Sequence, residues 1–236
     1  MVATPAAIVA PAPARYVPVL QEGDILPALP LRDQRGLRTA LTGDGRTTIV
    51  SFIYTRCRDA RMCPLVAAKF AAMQRALHSG EHVRLVTLTL DPAYDTPPVL
   101  ARYGAAYGAD PSRWTLATGD GATVDELATR LGIARSVPQP GVVVHTEAVA
   151  VIDAHGRIGR IAGGNDWLPG DVLAQARSVD EHHASPLTAL RLWLAQAAAR
   201  CGSAAPAIGT AGVFALLGGF TMLYGLLAAR AMRRVR

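Results

Sequence analysis

The chain of 236 residues is poor in cysteine, with three, and poor in aromatic residues, at 6%. Three cysteines leave one over once two are paired, so no multi-disulfide framework is available. No Cys-x2-Cys occurs, which removes the motif of a thioredoxin-type reductase. A peroxiredoxin places Thr three positions before its reactive Cys; here that position is Tyr54, with Thr55 two before Cys57. Aromatic and basic residues do not interleave, and no DNA-reading motif is present. The net charge of +6 owes four charges to Arg230, Arg233, Arg234 and Arg236, so it does not argue for a nucleic-acid partner. No basic residue precedes Arg15, and the apolar stretch before it is short and broken by proline. That is a poor match to a signal peptide. Charge itself is missing from residues 203–229.

What is present starts with Cys57 and Cys63, just after an apolar run and just before Pro64, with His145 much later. Thiolates are soft ligands and imidazole a borderline one, so two Cys and a His suit copper or zinc. The same thiols suit electron exchange with another dithiol. Residues 47–55, "TTIVSFIYT", are rich in β-branched and aromatic residues and read as a buried strand. Val66, Phe70, Met73 and Leu77 recur at helical spacing before Gly80, so a helix is expected from about Pro64 to His78. Proline suits its first turn. Cys63 then sits at the helix N-terminus, whose partial positive charge lowers a thiol pKa, and Arg56, Arg58 and Arg61 act in the same direction. On one regular helix the two cysteines would stand roughly 9 Å apart along the axis. A disulfide needs Cα atoms within about 7 Å. Residues 58–62 are therefore expected to form an exposed loop.

Further along, 82–92 reads as a second buried strand, and Pro97 and Pro98 open a helix carrying Val99, Leu100 and Tyr103. Residues 114–118 read as a short strand and 124–133 as a helix. Residues 145–163 read as a hairpin around Ala-His-Gly, and "PGDVLAQARSV" as a last helix. Alternating strands and helices give an α/β class with a mixed sheet. A structural zinc site would want a fourth protein ligand. The pattern brings none of His78, His82, His155, His182 or His183 to the cysteines, and the His182–His183 pair reads as solvated. Asp91 ends the second strand beside the cysteine loop. It either orients and charges the site or caps the turn before Pro92.

Several blocks together carry a family resemblance. "FIYTRC", a second Cys followed by Pro, "LTLDPAYDTPPVLARYGAAYG", "RWTLATGD" and "VVVHTEAVAVIDAHGRI" resemble the Sco/SenC family in order and spacing, from about Gly23 to about Val179. The resemblance implies a thioredoxin-like fold, a mixed central sheet flanked by helices, with an extra N-terminal β-hairpin that 25–41 fits. It implies a copper site of Cys57, Cys63 and His145. It also implies a role in assembling the binuclear copper centre of cytochrome c oxidase, with subunit II as copper acceptor and a thioredoxin-like protein as reductant. The family's usual spacing is Cys-x3-Cys; here it is Cys-x5-Cys. The longer loop costs only about a few tenths of a kcal/mol more to close. Reduced thiolates and a neutral imidazole would hold copper and release it by ligand exchange. Binding would weaken on oxidation and at low pH. The alternative is a thiol–disulfide oxidoreductase that acts on cysteines of periplasmic metalloproteins without copper.

Residues 203–229 exceed the roughly 20 apolar residues a membrane span needs. The arginines crowd its C-terminal side, so the positive-inside rule puts the C-terminus in the cytoplasm and the α/β domain outside, in a periplasmic or other extracytoplasmic space. The expected organisation is a disordered Ala/Pro-rich segment over 1–20, the thioredoxin-like domain over 21–180, and a linker with an interfacial helix over 181–202. The transmembrane helix over 203–229 and a basic tail over 230–236 complete it. Cys201 reads as an idle odd thiol beside the span, with acylation the lesser alternative.

Overall fold

The computed structural model describes residues 16–139 and 141–183. Of the segment expected to be disordered over 1–20, residues 1–15 lie outside them, as do the interfacial helix, the 203–229 span, the basic tail and Cys201. Leu20, within the described part, packs on the core and donates its N–H to the Arg130 carbonyl at 2.8 Å. Among the described residues no helix is long and apolar enough to cross a membrane.

The elements run β1 (Leu31–Asp33), β2 (Arg38–Thr39), β3 (Thr47–Ile53), α1 (Cys63–Ala76), β4 (Val83–Thr89), α2 (Pro97–Ala106) and β5 (Trp114–Thr118). They continue with α3 (Gly121–Arg130), β6 (Arg135–Gln139), β7 (Val142–His145), β8 (Ala148–Ile152), β9 (Ile158–Gly163) and α4 (Pro169–His183). Seven strands form one sheet in the order β2-β1-β5-β4-β3-β8-β9. The pairs β3·β4 and β4·β5 are parallel, whereas β1, β8 and β9 pair antiparallel to their neighbours. This is the expected mixed α/β sheet, with β1–β2 as the extra N-terminal hairpin.

The centre of the sheet is buried on both faces, and every residue of β3 and β4 is buried, polar ones such as Ser51 and Arg84 included. Alternate residues go to opposite sides. Ile49 and Ile53 pack with Val66 and Phe70 of α1, Leu100 of α2 and Val172 and Leu173 of α4. Val50 and Phe52 pack with Val124 and Leu127 of α3 and with Leu26 and Leu31 of the N-terminal segment. Trp114 is fully buried, and its indole N–H donates to Thr87 Oγ1 at 2.9 Å.

Three boundaries differ from expectation for local reasons. Helix α3 starts earlier because Asp120 caps it, accepting from the Thr123 N–H at 2.8 Å, and Gly132 at φ +76° follows its end. Helix α4 continues to His183, since no breaker occurs before Pro186. Its Asp180 accepts from Thr47 Oγ1 at 3.3 Å. The β6–β7 hairpin forms a separate two-stranded sheet with an irregular register between Ser136 and Gln139. A proline within β6 is tolerable because this ribbon lies outside the main sheet.

One carboxylate builds the β1–β2 turn. Asp33, 4% exposed, accepts from the N–H groups of Arg35 and Leu37 at 2.9 and 2.8 Å and from the Arg35 guanidinium at 2.8 Å. Burial works to raise its pKa, but the Arg35 side chain and these two N–H groups together hold it below the usual carboxylate value. A depressed carboxylate adds stability above its unfolded pKa and loses it as pH falls through the folded one. Asp33→Ala should cost about 1–3 kcal/mol at pH 7. In urea titrations the gap to wild type should close on acidification below about pH 4; a constant gap would contradict the assignment.

Candidate metal centre

The site lies past the carboxyl ends of β3 and β4, where an open parallel arrangement leaves a crevice. After Ile53 the chain turns, with the Cys57 N–H donating to the Tyr54 carbonyl at 3.1 Å. A second turn closes as the Met62 N–H donates to the Asp59 carbonyl at 3.1 Å. Residues 57–62 form the expected loop, exposed from Arg58 to Arg61. Both cysteines are free thiols; Cys57 is half-buried and Cys63 fully buried.

His145 ends β7 and is itself 9% exposed. Its Nδ1 lies 2.8 Å from the Thr146 carbonyl oxygen, which can only accept. In the neutral ring Nδ1 therefore carries the proton, and Nε2 is left with its lone pair. That Nε2 stands 4.0 Å from Cys63 Sγ. Burial lowers the His145 pKa, opposed by the Thr146 carbonyl and aided by the Arg135 charge, so the neutral, ligating form is favoured. Tyr54 packs edge-on against the ring at 5.9 Å between centroids. Sequence reasoning did not single out Tyr54. Burial, then the charges of the cysteines if they ionise, push its phenol up to about 12, so it remains a neutral hydroxyl.

Cys63 corrects an expectation. It occupies the first turn of α1, yet burial pushes its thiol well above the usual value; a Tyr54 backbone hydrogen bond opposes this, while Cys57 and the Glu147 charge add to it. A helix terminus is worth about 0.3–1 kcal/mol, whereas full burial can move a pKa by several units. The arginines do not offset this. Arg56 is paired with Asp91, and Arg61, 91% exposed at its side chain, faces Asp59 at 3.6 Å. The metal-free site thus holds a protonated, sheltered Cys63. A metal would have to displace its proton.

Cys63 and His145 stand 4.0 Å apart, with Cys57 on the adjoining loop, and the triad has not converged. Among the described residues no three His, Cys, Asp or Glu side chains stand gathered to hold a metal. Cys57 Sγ points instead toward the Asp59 carbonyl at 3.9 Å. Two soft sulfurs and one imidazole nitrogen remain a donor set suited to copper.

Asp91 lies beside the site rather than in it. Its carboxylate accepts from the Arg56 guanidinium, its own N–H donates to Thr89 Oγ1 at 2.9 Å, and its carbonyl accepts from the Asp95 N–H at 2.8 Å. It caps the turn and pairs with Arg56 of the cysteine loop. Asp95 was missed. Fully buried, it accepts from the Thr55 N–H at 3.0 Å and from the hydroxyls of Thr55 and Thr89, tying the start of the cysteine loop to β4. An Asp directly before the Thr-Pro-Pro helix start was the available signal. On the other flank, Asn165 Nδ2 donates to the Arg61 carbonyl at 2.6 Å. Lys69 donates to the Trp167 carbonyl at 2.8 Å and lies 4.5 Å from the centre of that indole ring.

Asp95→Ala should lower stability by about 2 kcal/mol, since it orphans the buried Thr89 hydroxyl and the partly buried N–H and hydroxyl of Thr55. It should also speed alkylation of Cys57 in the folded protein. Unchanged alkylation would mean that the Asp95 tie does not restrain the loop.

The SCO1/SenC family model matches residues 21–179, a stretch that holds both cysteines, Asp91 and His145. The SCO1 protein homolog of Bacillus subtilis (strain 168) is 23% identical over 139 residues, 57% of this chain and 71% of that protein. The fold is similar to that of Bradyrhizobium japonicum ScoI with copper bound, at TM-score 0.55 and 24% identity, over 66% of this chain and 99% of that one. It is similar too to BsSco, described as having a disulfide switch and as a member of the Sco family of cytochrome c oxidase assembly proteins. That match has TM-score 0.57 and 21% identity over 66% of this chain and 94% of BsSco. On the extent of the family match, this chain is a member of the SCO1/SenC family.

Proposed function

We propose that the chain is a copper-binding metallochaperone for the binuclear copper centre of cytochrome c oxidase. One observation carries the reading: a neutral imidazole presents its free Nε2 4.0 Å from the buried sulfur of Cys63, with Cys57 on a loop beside it. The copper-bound ScoI and the oxidase-assembly role in the description of BsSco support it. Copper is the cargo. Cys57 and Cys63 as thiolates and His145 through Nε2 would hold it. Half-exposed Cys57 is the ligand an incoming thiol would displace first. Subunit II of the oxidase is the proposed acceptor, and a thioredoxin-like protein the proposed reductant of the cysteine pair.

The domain would work outside the cell membrane, anchored by residues 203–229 with the C-terminus in the cytoplasm. The uncharged stretch and the arginines at its end support this.

The paired free thiols also favour a second reading, a thiol–disulfide oxidoreductase without metal. Half-exposed Cys57 would attack and buried Cys63 would resolve. His145 has no part in that chemistry.

Copper uptake by the reduced full-length chain, compared with His145→Ala, separates the two. We expect one copper per chain, sulfur-to-Cu(II) charge-transfer absorption, and a loss of at least about tenfold in affinity in the variant. Affinity should fall on acidification, because both thiols and the imidazole must give up protons to bind. No copper in wild type, with Cys57–Cys63 still cycling with a dithiol, would overturn the metallochaperone reading.

A further inference from the structure

The residue before Cys57 touches two separate segments. The Arg56 guanidinium donates from Nε, at 3.2 Å, and from Nη2 to Asp91 Oδ2, in the turn after β4. Its Cζ lies 4.1 Å from the centre of the Tyr94 ring in the same turn. Its third neighbour is Gly141, in the turn between β6 and β7. A Cβ built there would stand 2.8 Å from Arg56 Nη1 and 3.2 Å from Cζ. Gly141 also has φ +84°, which a side chain rarely adopts. The guanidinium is thus wedged against bare backbone. Gly141 lies one residue before the strand that ends at His145.

The two halves of the candidate site sit on different supports. The cysteines belong to the β3–α1 connection, held at its start by Asp95 and near its end by Asn165. His145 belongs to the β6–β7 ribbon, which pairs with no strand of the main sheet. Arg56 reaches from the first support to the tip of the second. A planar, always-charged group that pairs and stacks at once is suited to this; lysine, a point charge on a flexible stem, is not.

We propose that Arg56 is a positioning residue that locks the β6–β7 hairpin to the cysteine loop and so sets the distance between the Cys57 sulfur and the His145 imidazole. The inference rests on the copper reading above and deepens it. Arg56 touches no ligand atom; it acts on the metal through the two supports it joins. The pairing with Asp91 fixes the direction of the guanidinium, and the Tyr94 ring fixes its plane. Asp91 therefore serves the site through Arg56.

The test uses the reduced full-length chain as wild type, Arg56→Met and Arg56→Lys. Met keeps an apolar stem against Tyr94 but loses the pair with Asp91; Lys keeps the charge but loses the fork. Copper release from Arg56→Met should be about tenfold faster than from wild type, with a shifted or weakened sulfur-to-Cu(II) band. Arg56→Lys should fall between the two. The metal-free melting temperature of each variant should stay near that of wild type. The inference is overturned if both variants keep the wild-type band and release rate, or if release quickens only in step with lost thermal stability. If wild type itself takes up no copper, the copper reading fails on its own. The metal-free Cys57–Cys63 midpoint potential then decides the lock. A potential displaced in Arg56→Met supports it, and an unchanged one overturns it.

Discussion

The whole site depends on β3 being buried on both faces and ending at Ile53. Ile49 and Ile53 are claimed by the helices on one side, Val50 and Phe52 by α3 and the N-terminal segment on the other. No freedom of register remains, because a one-residue slip would exchange the two faces. The chain must leave the sheet at Tyr54 and re-enter order at Cys63, where α1 begins to pack. The cysteine loop is what lies between two fixed points. Parallel pairing with β4 brings a second exit beside it, and Asp91 and Asp95 belong to that exit. Buried strands thus place a short exposed loop at the carboxyl ends of the sheet, where ligands meet in open α/β sheets.

Burial decides the chemistry of Cys63 more than charge does. A helix N-terminus and three nearby arginines suggest an activated thiolate. Yet Arg56 is taken by Asp91 and Tyr94, and Arg61 reaches outward to Asp59. What remains is a thiol removed from water, which resists ionisation. Such a thiol is a poor free nucleophile and a good metal ligand, since a bound metal ion replaces the proton and cancels the buried charge. The same burial keeps His145 neutral, and the Thr146 carbonyl fixes which nitrogen is free. The two effects act together: Cys63 keeps its proton, and His145 Nε2 keeps a free lone pair.

Much of this was legible from residue patterns. The strand over 114–118, the Pro-opened helix at 97, the loop between the cysteines and the hairpin around Ala-His-Gly all follow from periodicity and turn chemistry. The reading of Cys57, Cys63 and His145 as ligands rests on the spacing of the blocks compared with a family, and it stands as a proposal. The β6–β7 ribbon was not legible, because Pro138 and Pro140 hide a strand signal that only an isolated ribbon can tolerate. Asp95 was missed, and Arg56 was read only as a charge near the thiol, for a different reason. Their importance lies in what they touch across the chain, Thr55 and Thr89 in one case and Gly141 in the other. Spacing along a sequence does not encode such contacts. The pKa of Cys63 was misjudged because local charge can be read from neighbours in sequence, whereas burial cannot.

The central claim is that one copper is held by two sulfurs and one nitrogen. X-ray absorption at the copper edge of the loaded, reduced full-length chain tests it most directly. The account predicts two sulfur scatterers and one imidazole nitrogen, with the imidazole signature lost in His145→Ala. A copper coordinated by sulfur alone, or a spectrum the variant leaves unchanged, would contradict it.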